Sequence, residues 1–68
     1  MSMPQPIANM LLFQMMTQPK DIKLAAIYAL GEGRCQADNI TQELHKLSQS
    51  DDIEIRIAAI KALGRLYR

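Results

Sequence analysis

The feature that most constrains the fold of this chain is an internal repeat. The segment AAIYALG at residues 25 to 31 recurs as AAIKALG at residues 58 to 64. The match extends backward, because DIKL at 21 to 24 aligns with EIRI at 54 to 57. The offset of about 33 residues is typical of helical-repeat proteins, in which each unit stacks on the next. The repeat therefore predicts an all-α chain built from two similar units.

Proline and glycine divide the first half of the chain into two helices. Pro4 and Pro6 place the first residues outside or at the edge of helix one, and Pro19 ends that helix. Gly31 and Gly33 are predicted to stop helix two, because glycine takes the left-handed C-terminal conformation without steric cost. The first unit is therefore predicted to be helix, turn, helix.

The second half follows the same plan. Asp38 or Asn39 can cap helix three, and the polar segment 48 to 52 supplies a turn with cap candidates before helix four. Helix three carries one apolar stripe of Ile40, Leu44 and Leu47. Four helices in two pairs are therefore expected.

These residues carry a family resemblance. PKDIKLAAIYALG at 19 to 31 and DIEIRIAAIKALG at 52 to 64 resemble HEAT repeats, and more narrowly the short HEAT-like repeats of phycobilisome (bilin) lyases. The resemblance implies a short α-solenoid of two HEAT-like helical hairpins within a single domain, residues 1 to 68. Repeat one would cover about 6 to 34 and repeat two about 38 to 68. The resemblance implies little about function, because such repeats occur in enzymes, adaptors and scaffolds.

One arc of each second helix is predicted to face the core, and its alanines would let a neighbouring helix come close. On helix two this arc consists of Ile22, Ala25, Ala26, Ala29 and Leu30. On helix four it consists of Ile55, Ala58, Ala59, Ala62, Leu63 and Leu66. The same offset pairs Ile7 with Ile40 and Leu11 with Leu44, which predicts that Ile7 and Leu11 also face the core.

The first helix is apolar on nearly every side between residues 7 and 16. A helix of that kind is normally buried all round, yet this chain is too short to cover a second side. Methionine is common on surfaces that adapt to irregular partners. The residues predicted to contact a partner here are Met10, Leu12, Phe13 and Met16.

A second apolar patch is predicted where the stacked second helices line the concave face of a solenoid. Its residues are Leu24, Ile27, Tyr28, Ile57 and Ile60. Exposed contiguous apolar patches tend to mark interfaces, which favours a protein-contact surface. The alternative is that a compact four-helix arrangement shares these side chains between neighbouring helices as core.

The number of repeats favours self-association. Solenoids generally need about three repeats for stability, and their terminal repeats normally carry a polar outer face. This chain has two repeats, an apolar first helix and no repeat covering Leu66 and Tyr67. The expected partner is another protein or a second copy of the chain, most simply in a homodimer. A piece of a longer solenoid is a further possibility.

Composition argues against several other partners. Eight Lys and Arg residues nearly balance seven Asp and Glu residues, so no nucleic-acid partner is expected. The apolar run 7 to 16 is far shorter than the ~20 residues of a membrane span, so no membrane insertion is expected. Cys35 is the sole cysteine, which is typical of a reducing compartment and predicts a cytoplasmic protein.

Catalytic chemistry is not expected from these residues. Cys35 and His45 are too few ligands for a zinc site, and the acids lie at turns and exposed helix faces. No cofactor is expected. The sequence favours a small non-catalytic HEAT-like protein-interaction module. The alternative that the resemblance implies is an accessory subunit or chaperone-like factor for a bilin lyase or another phycobilisome-related activity.

Overall fold

The computed structural model describes residues 3 to 67, which form four α-helices. These are α1 (Gln5–Thr17), α2 (Lys20–Glu32), α3 (Asp38–Leu47) and α4 (Ile53–Leu66). α1 packs against α2, α3 packs against α4, and α2 joins the two hairpins by packing against α4. The prediction of an all-α fold with two helical hairpins is confirmed.

The turn before α4 supplies a side-chain cap. Asp52 Oδ1 accepts hydrogen bonds from the backbone N–H groups of Glu54, at 3.0 Å, and Ile55, at 3.3 Å. These bonds satisfy two of the N–H groups that lack a partner within the helix. At α3 the N-cap residue is Ala37, which has no side-chain bond, so the prediction that Asp38 or Asn39 occupies the cap position is wrong.

The end of α2 differs from the prediction that glycines take the left-handed conformation. Gly31 lies within the helix, and Gly33 follows it with a φ of −76°. The left-handed residue is Arg34, with a φ of 51°. Its N–H donates to the Gly31 carbonyl at 3.2 Å, and the Cys35 N–H donates to the Leu30 carbonyl at 3.3 Å. This pair of bonds is a Schellman motif, which satisfies carbonyls at the helix end.

Gly31 has another role, at the contact between the hairpins. A Cβ atom at this position would lie 3.1 Å from both the Cα and the Cβ of Ala62. Glycine therefore lets the backbones of α2 and α4 approach more closely than a residue with a side chain would allow. This close contact favours glycine at position 31, although the residue lies inside α2.

Ion pairs join the two ends of the α2–α4 contact. Lys20 Nζ lies 3.0 Å from Asp52 Oδ2 and 2.7 Å from Glu54 Oε1. Glu32 pairs with Arg65 at the other end. The first turn of α2 therefore lies beside the first turn of α4, and the last turns of the two helices also lie together. The two helices run parallel. Hydrogen bonds to Glu54 and then Asp52 raise the pKa of Lys20, and the bond to Lys20 lowers the pKa of Asp52.

The buried face of α1 is rotated relative to the prediction. Ile7, predicted to face the core, is 46% exposed, whereas Ala8 and Met15 are buried. Leu11 is half-buried and packs against the core, as does Leu12. The core therefore contacts the side of α1 that lies between the Leu11 and Leu12 side chains around the helix. The prediction that Ile7 faces the core is wrong.

A difference in register between the first and the second helices explains this rotation. Burial pairs Ala8 of α1 with Ile40 of α3, and Met15 with Leu47, whereas the offset of the second helices pairs Ile7 with Ile40. The first helices are therefore related by an offset that is shorter by a single position. A shift of one position along an α-helix corresponds to about 100° of rotation. α1 therefore buries positions one residue later than those predicted from the offset between α2 and α4.

α2 also buries a different arc. Ala26 and Leu30 are buried as predicted, but Ile22 is 43% exposed and Ala25 is exposed. The buried residues of α2 are Ala26, Ile27, Leu30 and Gly31. α2 packs against both α1 and α4, and these contacts bury sides of α2 that differ from the predicted one. On α4 the predicted arc is buried except for Leu63, which is half-buried against the core.

Candidate protein-interaction surfaces

The outer side of α1 is apolar and exposed. Its four large side chains are between 46% and 60% exposed, although each is hydrophobic. They recur at every third position, so they form an oblique row along the side of the helix that faces away from the core. We name these residues the α1 surface: Ile7, Met10, Phe13 and Met16.

The corresponding side of α3 is polar. In the register that burial defines, Met10 corresponds to Gln42 and Phe13 corresponds to His45. Gln42 and His45 are not buried, and Lys46 beside them is exposed. The fold can therefore place polar residues at these positions, and stacking of the hairpins does not require the apolar side chains of the α1 surface. Their apolar character needs another explanation.

The structure places the predicted contact residues of α1 in two groups. Met10, Phe13 and Met16 are exposed, as expected for residues without an internal neighbour. Leu12 packs against the core, so the prediction that it lacks such a neighbour is wrong. Leu12 is covered because the core contacts α1 between Leu11 and Leu12. Ile7 joins the exposed group in its place.

The predicted concave patch is not one exposed surface. Tyr28, Ile57 and Ile60 are 46% to 54% exposed. Leu24 is half-buried against the core, and Ile27 is fully buried at 0% exposure. The prediction that Ile27 contributes to an exposed patch is therefore wrong. Ile27 lies one helical turn before Gly31, on the side of α2 that faces α4, and this position explains its burial.

A second apolar row runs along α4, opposite its buried side. Ile53, Ile57 and Ile60 are between 46% and 58% exposed, and Gly64 continues the same side of the helix. We name these four residues the α4 stripe. Ile53 was missed from the sequence, although the spacing 53, 57, 60 and 64 is that of one helix face and could have identified it.

The polar side chains of the described residues form weaker candidate sites than the two apolar surfaces do. Residues 3 to 67 contain no group of three or more His, Cys, Asp or Glu side chains arranged to hold a metal ion. A surface depression is lined by Gly31, Glu32, Arg34 and Arg65, where the Glu32 and Arg65 charges pair with each other. No helix within the same residues is long and apolar enough to span a bilayer. The two apolar surfaces are therefore the candidate functional sites.

A sequence model of HEAT repeats matches residues 9 to 68. The chain belongs to the HEAT repeat family. HEAT repeats generally mediate protein–protein interactions, and the family typically consists of non-catalytic scaffolds. Comparisons with curated proteins and with solved structures gave no match. The family assignment accounts for the stacked hairpins. It does not name a partner.

Proposed function

We propose that this HEAT-repeat protein is a non-catalytic interaction module that contacts another protein, or a second copy of itself, through the α1 surface. The observation that carries the proposal is the difference between the two first helices. α1 exposes Met10 and Phe13 where α3 carries Gln42 and His45. Apolar residues at positions that the fold leaves exposed are the expected signature of a contact surface.

Phe13 is the best candidate for an anchor in such a contact. It is 60% exposed, the highest value among the large apolar side chains of the described residues. Met10 and Met16 lie one helical turn on either side of it and offer flexible side chains that can adapt to a partner. Burial of apolar area is favourable by about 25 cal/mol per Å². A partner groove that accepts Phe13 would therefore gain most from this residue.

The finer expectations from the sequence remain predictions. A symmetric homodimer through two α1 surfaces is one form of the proposal, because an isologous interface pairs the same surface on both chains. Cytoplasmic location and a role beside a bilin lyase rest on the sequence pattern alone. A reconstitution assay for bilin transfer and pigment binding tests the latter role, which a colourless complex without turnover would contradict.

The experiment compares a double variant, Met10→Ser with Phe13→Ser, and its matched control, Gln42→Ser with His45→Ser. The control changes the corresponding positions on α3. We expect the α1 variant to weaken association by roughly tenfold or more, because buried aromatic anchors carry much of the energy of an interface. The control should bind as the unmodified chain does.

The readouts are the molar mass from light scattering, for self-association, and quantitative pull-down from the native source, for other partners. Thermal unfolding monitored by circular dichroism verifies that both variants fold. Unchanged mass and unchanged partner recovery with the α1 variant would refute the proposal. An equal loss with the α3 control would refute it too, because the effect would not depend on the α1 surface.

A further inference from the structure

Equivalent residues of the two second helices differ in what covers them. Ile27 is fully buried and Gly31 is in contact with Ala62, on the side of α2 that faces α4. Their equivalents in the second repeat are Ile60, which is 54% exposed, and Gly64, whose added Cβ would meet no atom within 4 Å. α4 therefore exposes the same kind of surface as the one through which α2 contacts α4.

The opposite side of α2 is open in a complementary way. α4 contacts α2 through the side that contains Ala62, and the residues of that side are no more than 8% exposed. Their equivalents on α2 are less covered, and none of them is buried. The two sets are Ile55, Ala58 and Ala62 on α4, and Ile22, Ala25 and Ala29 on α2. The open side of α2 therefore has the same kind of residues as the side of α4 that packs against α2.

We propose that the α4 stripe of one chain receives α2 of a second copy. In this arrangement Ala29 of the second copy lies at Gly64, as Ala62 lies at Gly31 within one chain. The proposed junction continues an interface that the structure already contains, because both open surfaces repeat its apolar and small residues. The surface is separate from the α1 surface, so this inference does not depend on the proposed function.

Charge supports the second copy as the occupant. Glu32 and Arg65 occupy equivalent positions in the two repeats, and they pair across the α2–α4 contact. At a junction between copies, Arg65 of one chain would meet Glu32 of the next, so opposite charges face each other again. Screening limits the energy of such exposed pairs, but they set register and orientation.

The other end of the junction differs from the internal contact. Within the chain, Lys20 pairs with Asp52 and Glu54. At the junction the equivalents are Ile53 of one copy, which is 58% exposed, and Pro19 and Asp21 of the next. An apolar contact between Ile53 and Pro19 replaces the ion pair there. The junction is therefore less dependent on salt at this end than the internal contact.

Such an interface is heterologous, because different surfaces of the two copies meet. Heterologous contacts form rings where the rotation closes and open chains where it does not. They also add a third and a fourth repeat to the stack, which extends the solenoid without changing the fold of either copy. Mass should therefore grow beyond that of a dimer as concentration rises.

The test uses one variant for each side of the junction. Gly64→Gln blocks the α4 stripe and Ala25→Gln blocks the open side of α2; an added Cβ at Gly64 meets no atom and Ala25 is exposed, so each variant should fold normally. Lys61→Gln is the matched control, because its equivalent Tyr28 stays 47% exposed although α4 packs against α2. Sedimentation velocity up to roughly 1 mM covers weak specific association.

We expect the unmodified chain and Lys61→Gln to form assemblies that grow with concentration. Gly64→Gln and Ala25→Gln alone should each remain monomeric, with an association constant lowered by roughly tenfold or more. An equimolar mixture of these two variants should form a 1:1 dimer that does not grow, because each supplies the surface that the other lacks. Circular dichroism confirms that all variants have the same helical content.

Several outcomes would overturn the proposal. One is an unmodified chain that stays monomeric, which would leave a helix from another protein as the occupant of the stripe. Another is a Gly64→Gln variant that assembles like the unmodified chain. A mixture that stays monomeric would exclude head-to-tail pairing. Loss of self-association on Phe13→Ser alone would assign it to the α1 surface, which supports the proposed function and contradicts this inference.

Discussion

Adding one methyl group at the two equivalent glycines should have opposite effects on stability. Gly31 and Gly64 lie in the same position of the two repeats and both are inside helices. Replacing glycine by alanine in a helix interior is favourable by about 1 kcal/mol. At Gly64 no atom lies within 4 Å of the added Cβ, so Gly64→Ala should gain the full amount.

At Gly31 the same methyl group meets the backbone of α4. The added Cβ would lie 3.1 Å from Ala62 Cα and Cβ, so α2 and α4 must separate by several tenths of an ångström. Overpacking of this kind costs about 1–3 kcal/mol. Set against a helix gain of about 1 kcal/mol, Gly31→Ala should leave the free energy of unfolding between unchanged and about 2 kcal/mol lower.

The assay is urea denaturation followed by circular dichroism, at a concentration low enough to keep both variants monomeric. The two variants should differ by about 1–3 kcal/mol in free energy of unfolding, with Gly64→Ala the more stable. In thermal melts the gain at Gly64 should raise Tm by about 4–8 °C. Equal stabilisation by both variants would refute the close approach of α2 and α4 at Gly31.

Four further variants test other parts of the fold. Met15→Ala should lower the free energy of unfolding by about 2–5 kcal/mol because Met15 is fully buried, whereas Met16→Ala, at a half-exposed position, should change it by about 0.5 kcal/mol or less in the same denaturation assay. Equal effects would contradict the orientation of α1. Arg34→Gly should raise the free energy of unfolding by about 1 kcal/mol, since glycine relieves the left-handed φ; a loss would show that the Arg34 side chain contributes more than the strain costs. Folding lowers the pKa of Asp52 below its ordinary 3.8 by pairing with Lys20, so this stabilisation is present above pH 3.8 and is lost as pH falls through the lowered pKa. Asp52→Asn keeps a cap-forming side chain but should flatten the acid end of the Tm–pH curve, and an unchanged slope would exclude the ion pair as its source.

The sequence predicts the fold because the repeat indicates two similar units and because the prolines and Asp52 are local signals. The match of 25 to 31 with 58 to 64 indicates two stacked units, and Asp52 caps α4 as its position before an apolar helix suggests. Local signals of this kind depend on the residue and its nearest neighbours along the chain. They therefore persist whichever partner the helix packs against.

The errors arise where burial depends on neighbours distant in sequence. Ile27 and Ile60 have the same residue type and the same local context, yet Ile27 is buried and Ile60 is exposed. The reason is that α4 packs on the side of α2 that carries Ile27, whereas no helix of the described residues packs on the equivalent side of α4. On α1, Ile7 and Ala8 are both plausible core residues, since the helix is apolar on most sides. Its sequence therefore does not define a unique buried face.

For the candidate surfaces, the sequence was most useful for Met10, Phe13 and Met16, which are exposed as predicted. Too many apolar residues for one face indicate that some must remain outside the core. The α4 stripe is recognised as a candidate surface only from the structure, because Gly64 lacks the neighbour that Gly31 has in Ala62. A sequence repeat shows that two positions are equivalent. It does not show which of them has a neighbour.

The central claim, that the α1 surface contacts protein, is tested most directly by site-specific photo-crosslinking. A photoreactive phenylalanine analogue replaces Phe13 in one sample and His45, its polar counterpart on α3, in the other. After irradiation in the native cell, we expect position 13 to give a discrete cross-linked protein or a cross-linked dimer of the chain, and position 45 to give neither. Equal cross-linking at both positions, or none at position 13, would contradict the account.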